Sequence, residues 1–111
     1  MISQRDIVLL SFPFSDLKTS KVRPVLVLSN DECNKKFEDF VVVPLTTNLR
    51  SRDYSVLITE RNLEKGRLIV DSNIKVDRIF SVSKKLVRAN IGKINMETHN
   101  KVRRMLSEII K

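Results

Sequence analysis

With 111 residues, 41% of them hydrophobic and 31% charged, the chain can bury one core, which excludes both a disordered tail and a pair of conventional domains. Its 21 basic and 13 acidic side chains leave a net charge of +8, which suits a polyanion such as RNA, DNA or an acidic protein, and equally a surface that is merely soluble. Cys33 is the only cysteine, so no intrachain disulfide can form; no apolar run approaches the ~20 residues of a membrane span, and the polar N-terminus does not read as a signal peptide. A cytoplasmic protein with no membrane partner is expected.

Residues 7–12 read as a first strand, which Pro13, lacking an amide donor, brings to an edge or bend. The polar stretch 15–22 reads as a loop rich in turn formers. Residues 25–28 are apolar at every position, the pattern of a strand buried on both faces, and stop at the turn formers Ser29, Asn30 and Asp31. Residues 31–39 read as a charged connection. A strand then begins at Phe40, bends at Pro44 and ends near Thr46, Thr47 and Asn48. After the basic segment 49–53, Tyr54, Val56 and Ile58 alternate with Ser55, Leu57 and Thr59, the period of a half-buried strand.

The stretch 62–66 reads as a turn or short helical turn closed by Gly66, and short β segments are expected at 67–70, 73–76 and 78–82. One helical turn at 84–87 and a last strand at 89–91, ended by Gly92, complete the β-rich part. The period then changes. Val102, Met105, Leu106, Ile109 and Ile110 form a helical stripe, with Lys101, Arg104, Ser107, Glu108 and Lys111 on the other side. Asn95 suits the N-cap, and Glu97 suits both the helix dipole and an i,i+4 pair with Lys101. The expected fold class is mostly β (α+β): one domain over residues 1–111, a small, strongly curved, barrel-like sheet with a C-terminal amphipathic helix packed on it.

Six blocks carry a further signal: D-I-V-L at 6–9, F-P-F-S-D at 12–16, K-V-R-P-V-L-V-L-S-N at 21–30, V-V-P-L-T-T-N at 42–48, K-V-D-R-I-F-S-V at 75–82 and I-G-K-I at 91–94. In order and spacing they resemble the MazF/PemK family of messenger-RNA-cleaving toxins over nearly the whole chain. The R-P-V-L-V-L-S-N block followed by P-L-T is the specific part. The resemblance implies an SH3-like barrel with a C-terminal helix, acting as a symmetric homodimer. It implies a metal-independent endoribonuclease (mRNA interferase) that acts on single-stranded RNA, needs no cofactor and is restrained by a cognate antitoxin protein.

RNA can be cut through its own 2′-hydroxyl if one group takes the hydroxyl proton, another stabilises charge on the phosphoryl oxygens and a third protonates the leaving 5′-oxygen. DNA lacks that hydroxyl. Arg23 matches the arginine on which the family relies, and its fork suits bidentate phosphate contact. Thr46 matches the family threonine at the end of the P-L-T strand, with a hydroxyl able to donate to a phosphoryl oxygen or orient the 2′-hydroxyl. Asp77 matches the acidic residue of the PemK-like branch, which has an arginine two positions earlier; this chain has Lys75 there, keeping the charge but losing the fork. Asp77 is either a general base or a salt-bridge partner of Lys75, Arg78 or Arg23.

Lys18 and Lys21, Arg50 and Arg52, together with Lys75, are the expected RNA contacts. Phe14 or Tyr54 is a candidate for base stacking, whereas Phe12, Phe40 and Phe80 read as core. His99, the sole histidine, rules out a two-histidine mechanism within one chain and reads as a surface residue of the helix. One histidine and one cysteine make no zinc cluster, and neither a glycine-rich phosphate loop nor an H-E-x-x-H motif is present. Two other readings share the charge and fold: a non-catalytic basic barrel that binds RNA or an acidic protein, and a related-fold toxin acting on a protein such as a topoisomerase.

Overall fold

Apolar alternation in the first three strands lays down two cores at once. The computed structural model describes residues 2–13, 20–50 and 53–111. Strand β1 (Asp6–Pro13) pairs antiparallel with β2 (Ser20–Val27), from Ile7 opposite Leu26 to Pro13 opposite Ser20. A short helix, α1 (Asp31–Lys36), leads into β3 (Asp39–Thr46), which pairs with β2 at Val25–Pro44, Leu26–Val43 and Val27–Val42. Next come β4 (Ser55–Ile58), a 3-10 turn (Glu60–Asn62), β5 (Leu63–Gly66), β6 (Ser72–Lys75) and β7 (Phe80–Ser83). A second 3-10 turn (Lys84–Leu86), β8 (Val87–Ile94) and helix α2 (Met96–Ile109) follow.

The outer edge of β3 is shared: β7 takes its first half and β6 its last two residues, with β4 paired beyond β6. On the other flank β8 pairs with β1, and β5 with β8. The run β8-β1-β2-β3-β7 curls until its two end strands are separated in sequence only by the second 3-10 turn. Inside the curl lie Val8, Leu10, Val25, Val27, Phe40, Val42 and Val82. Residues one position out of step, among them Ile7, Leu26 and Val43, join Ile58, Ile74, Val76 and Ile94 beneath Val102 of α2. Val25, Leu26 and Val27 are therefore 1%, 0% and 0% exposed, the two-sided burial that their unbroken apolar run implies. The mostly β, barrel-like sheet and C-terminal helix agree with the sequence.

Several local expectations change. Strand β2 starts at Ser20, so residues 20–22 of the expected 15–22 loop are strand; β1 holds them, and Pro24 is tolerated because the β3 ladder begins only at Val25. The charged connection contains α1, whose N-cap Asn30 accepts from the Cys33 amide at 2.9 Å, with Asp31 and Glu32 in its first turn and Lys35 and Lys36 in its last. Residues 63–66 form a strand, whereas 67–70 do not, and Ile69 is 94% exposed. Strand β7 begins at Phe80 rather than at Arg78, and β8 continues through Gly92 to Ile94. Ile110 lies just past the helix and is exposed.

His99 is not a surface residue. It lies three residues before Val102 on the inward stripe of α2 and is 5% exposed, with no hydrogen-bond partner for Nδ1 among the described residues. Burial, then the positive charges of Arg103 and Arg5, hold its pKa below the ordinary histidine value. Arg5 ties the seam of the sheet: its amide donates to Val27 O and its carbonyl accepts from the Ile94 amide, each at 3.0 Å. Its guanidinium donates to Ile94 O and to Glu64, each at 2.9 Å, although the residue adopts a left-handed φ of 80°. Among the described residues no helix is long and apolar enough to cross a membrane.

Candidate functional site: a polar face at the end of strands β2 and β3

Arg23 lies within β2, opposite Leu10 of β1, not at the junction of loop and strand. Antiparallel partners in the β2–β3 ladder run from Val27–Val42 to Val25–Pro44, and Arg23 and Thr46 each lie two residues beyond that last pair, on β2 and β3. Alternation gives both side chains the same face. Arg23 is exposed and Thr46 half-buried. The rigid support is legible: Leu10 and Val25, flanking Arg23, are fully buried in the inner core.

The end of β3 is wound by short-range hydrogen bonds. The Asn48 amide donates to Thr46 Oγ1 at 3.2 Å, and the Arg50 amide donates to Asn48 Oδ1 at 3.1 Å. Accepting from the backbone leaves the hydroxyl proton of Thr46 available to a ligand. Across the other edge, Asn73 of β6 stands opposite Thr46, 6% exposed, and donates to Asn48 O at 3.2 Å. The sequence reading passed over Asn73; its one signal was a polar amide in the strand interior beside Ile74.

Asp77 is exposed in the link between β6 and β7, in a turn closed by the Arg78 amide donating to Lys75 O at 3.1 Å. Both flanking strands pair with the edge of β3 that faces away from β2, so β3 stands between Asp77 and Arg23. Among the described residues Asp77 makes no salt bridge, with Lys75, Arg78, Arg23 or any other cation. Lys75 is half-buried opposite Ser55, on the face that Asn73 and Thr46 share.

Lys21 is exposed opposite Phe12, two residues from Arg23 on the same face, and Arg50 is exposed beyond Thr46. Lys18, Arg52 and Phe14 lie outside the described residues. Phe12 packs on Phe80 with ring centroids 6.2 Å apart, and Phe40 is 2% exposed, as expected of core aromatics. Tyr54, at a left-handed φ of 63°, lines a groove with Lys101, Arg104 and Met105 of α2, away from Arg23 and Thr46. Arg23 and Asp77 are exposed and Thr46 half-buried, and none of the three lines the clefts around Gly66, Tyr54 or Cys33. Among the described residues no three His, Cys, Asp or Glu side chains gather as metal ligands.

Structural relatives are numerous. An endoribonuclease in complex with its cognate antitoxin, from Mycobacterial species, superposes with a TM-score of 0.79 at 20% identity, covering 99% of this chain and 95% of that one. The MazE–MazF complex of Deinococcus radiodurans gives 0.82 at 18% identity, covering 98% and 95%. The Mycobacterium tuberculosis toxin MazF-mt6 gives 0.65 at 20% identity, covering 93% and 91%. At these identities the likeness establishes the fold. No curated protein matches the sequence. The family profile of the PemK-like, MazF-like toxins of type II toxin–antitoxin systems matches residues 3–110, and the chain belongs to that family.

Proposed function

We propose that this toxin is an endoribonuclease that cuts single-stranded RNA through the RNA's own 2′-hydroxyl, without a metal ion. The observation that carries the reading is the position of Arg23 and Thr46, each two residues past the Val25–Pro44 pair that ends the β2–β3 ladder, with Lys21, Arg50 and Lys75 around them. In the reaction the 2′-oxygen bonds to the adjacent phosphorus and the bond from phosphorus to the 5′-oxygen breaks. The hydroxyl proton goes to a base, and the leaving oxygen takes a proton in turn. The products are a 2′,3′-cyclic phosphate and a 5′-hydroxyl end.

Arg23 is assigned to the phosphoryl oxygens and the leaving group. With a reference pKa of about 12.5–13.8, a guanidinium donates and stabilises charge far better than it abstracts a proton. Thr46 donates its hydroxyl to a non-bridging oxygen. Asp77 is the carboxylate nearest the role of base, but it belongs to the far side of β3. Two strand spacings of roughly 4.8 Å each lie between its edge and β2, so it reaches the scissile group only when RNA drapes across β3. Arg23 and Thr46 therefore carry most of the rate in this account, and Asp77 less. Lys21, Arg50, Lys75, Lys18 and Arg52 bind phosphates and supply affinity rather than sequence choice.

The toxin is taken to act as a homodimer in the cytoplasm and to be silenced when an acidic segment of its antitoxin folds onto this basic face. Purified protein incubated with excess EDTA and a long single-stranded RNA should release fragments ending in 2′,3′-cyclic phosphate, and should leave the matching DNA intact. Equal cutting of DNA, or loss of cutting with EDTA, overturns the mechanism. Tight RNA binding without any cutting reduces the protein to a binding module.

A further inference from the structure

Asn73 occupies a place that packing alone would give to a different residue. It lies in the middle of β6 between Ser72 and Ile74, all three buried, where asparagine is disfavoured and a β-branched apolar side chain fits the pleat better. A buried amide costs stability unless it is hydrogen-bonded. The amide of Asn73 spends its donor on the carbonyl of Asn48, at 3.2 Å, across to the residue two past Thr46.

That carbonyl belongs to the segment that presents the site. Asn48 donates its own amide to the hydroxyl oxygen of Thr46, and its side chain accepts from the amide of Arg50. The β3–β6 ladder itself ends at the Thr46–Asn73 pair, so beyond it the 47–50 segment has no strand partner among the described residues. The Asn73 side chain takes over where the backbone ladder stops.

We infer that Asn73 is a positioning residue for the reaction proposed above: it clamps the 46–50 segment and so fixes the Thr46 hydroxyl and the Arg50 side chain toward RNA. The inference rests on the ribonuclease reading for its kinetic consequence and on hydrogen bonding alone for the clamp. It places no substrate contact on Asn73 itself.

Two variants test it. N73V keeps the packing and strand propensity without the donor, and N73D keeps the shape but faces the Asn48 carbonyl with oxygen. N73V should keep a thermal midpoint close to or above that of the wild type, whereas N73D, which buries a carboxylate against a carbonyl oxygen, should lower it. In both, kcat on single-stranded RNA falls about 10- to 100-fold, the scale of a small misplacement in a catalytic group. In a T46A background N73V should add little further loss, because the hydroxyl it positions is gone. Amide hydrogen exchange at Asn48 and Arg50, followed by NMR in the free protein, should accelerate in both variants and leave β1 unaffected. Wild-type kcat and KM in N73V, or unchanged exchange at Asn48 and Arg50, overturns the inference. If the wild-type toxin cuts no RNA, the ribonuclease reading fails by itself, and the exchange data still decide for or against the clamp.

Discussion

The buried histidine makes stability depend on pH in a direction that can be worked out in advance. His99 is 5% exposed, so burial comes first, and Arg103 and Arg5 lie close enough to oppose a third positive charge; among the described residues its Nδ1 has no hydrogen-bond partner either. Burial and the two arginines lower its pKa in the native state, while the unfolded chain keeps a value near 6.5. Below that value the unfolded state binds a proton that the native state refuses, so the histidine's contribution to stability is present above about pH 6.5 and is lost as pH falls toward the native pKa. One proton taken up on unfolding gives a slope of up to about 1.4 kcal/mol per pH unit inside that window and none above it.

The perturbation is H99L, which has similar volume, no orphaned nitrogen and no titration. Urea midpoints of wild type and H99L measured at pH 5.5 and 7.5 separate this group from the carboxylates, which titrate lower and are shared by both proteins. At pH 7.5, H99L should match or exceed the wild type by about 1 kcal/mol, because an unpartnered buried polar atom has been removed. At pH 5.5 the gap in favour of H99L should widen. A constant gap between the two pH values, or a gap that narrows on acidification, would show that His99 is protonated as readily in the folded protein as in the unfolded one.

Other substitutions probe separate parts of the structure. D6A should cost about 3 kcal/mol by urea unfolding, because it removes the acceptor of the Ser3 amide and Asn90 amide nitrogen, both at 2.8 Å, and leaves Lys93, 3.6 Å away, without its carboxylate. G66A should cost at least about 2 kcal/mol: Gly66 has a left-handed φ of 85°, and a Cβ there would collide with the Ile91 carbonyl; a smaller loss would mean that the β5–β8 approach relaxes easily. K21A should weaken binding to a non-cleavable 2′-deoxy substrate and lower the magnitude of the log Kd against log salt slope by about 0.7, as expected for one lost single-strand phosphate contact. An unchanged slope removes Lys21 from the RNA path.

Much of the architecture was legible where side chains repeat with a clear period. The two-sided run at 25–27 and the stripe of α2 needed only alternation and the helical repeat, and the N-cap Asn95 does accept from the Thr98 amide, at 2.9 Å. Long-range pairing was not legible: residues 20–22 fall in a stretch read as loop, and only the hairpin with β1 makes them a strand. Helix α1 was hidden in a stretch read as a charged connection because its six residues are almost all polar and show no apolar period; its N-cap and end charges are its only local marks. His99 fits the stripe at Val102 minus three and was misread through its polarity.

At the site, the resemblance picked out Arg23 and Thr46 individually, but their common position just past the end of the β2–β3 ladder follows from long-range pairing, which no local pattern encodes. The placement of Asp77 beyond β3 depends on the way β6 and β7 divide one edge of that strand. Asn73 needed the hydrogen bond to Asn48 before its polarity acquired a meaning.

The central claim, that Arg23 supplies charge stabilisation for RNA cleavage on this face, is tested most directly by single-turnover cleavage of single-stranded RNA by R23A and R23K in the presence of EDTA. The account predicts a loss of at least about 100-fold for R23A, the scale of a removed charge-stabilising donor, with thermal stability unchanged because the side chain is exposed. R23K should recover a small part of that loss, since lysine restores charge without the fork. Cleavage by R23A at the wild-type rate would contradict the account outright.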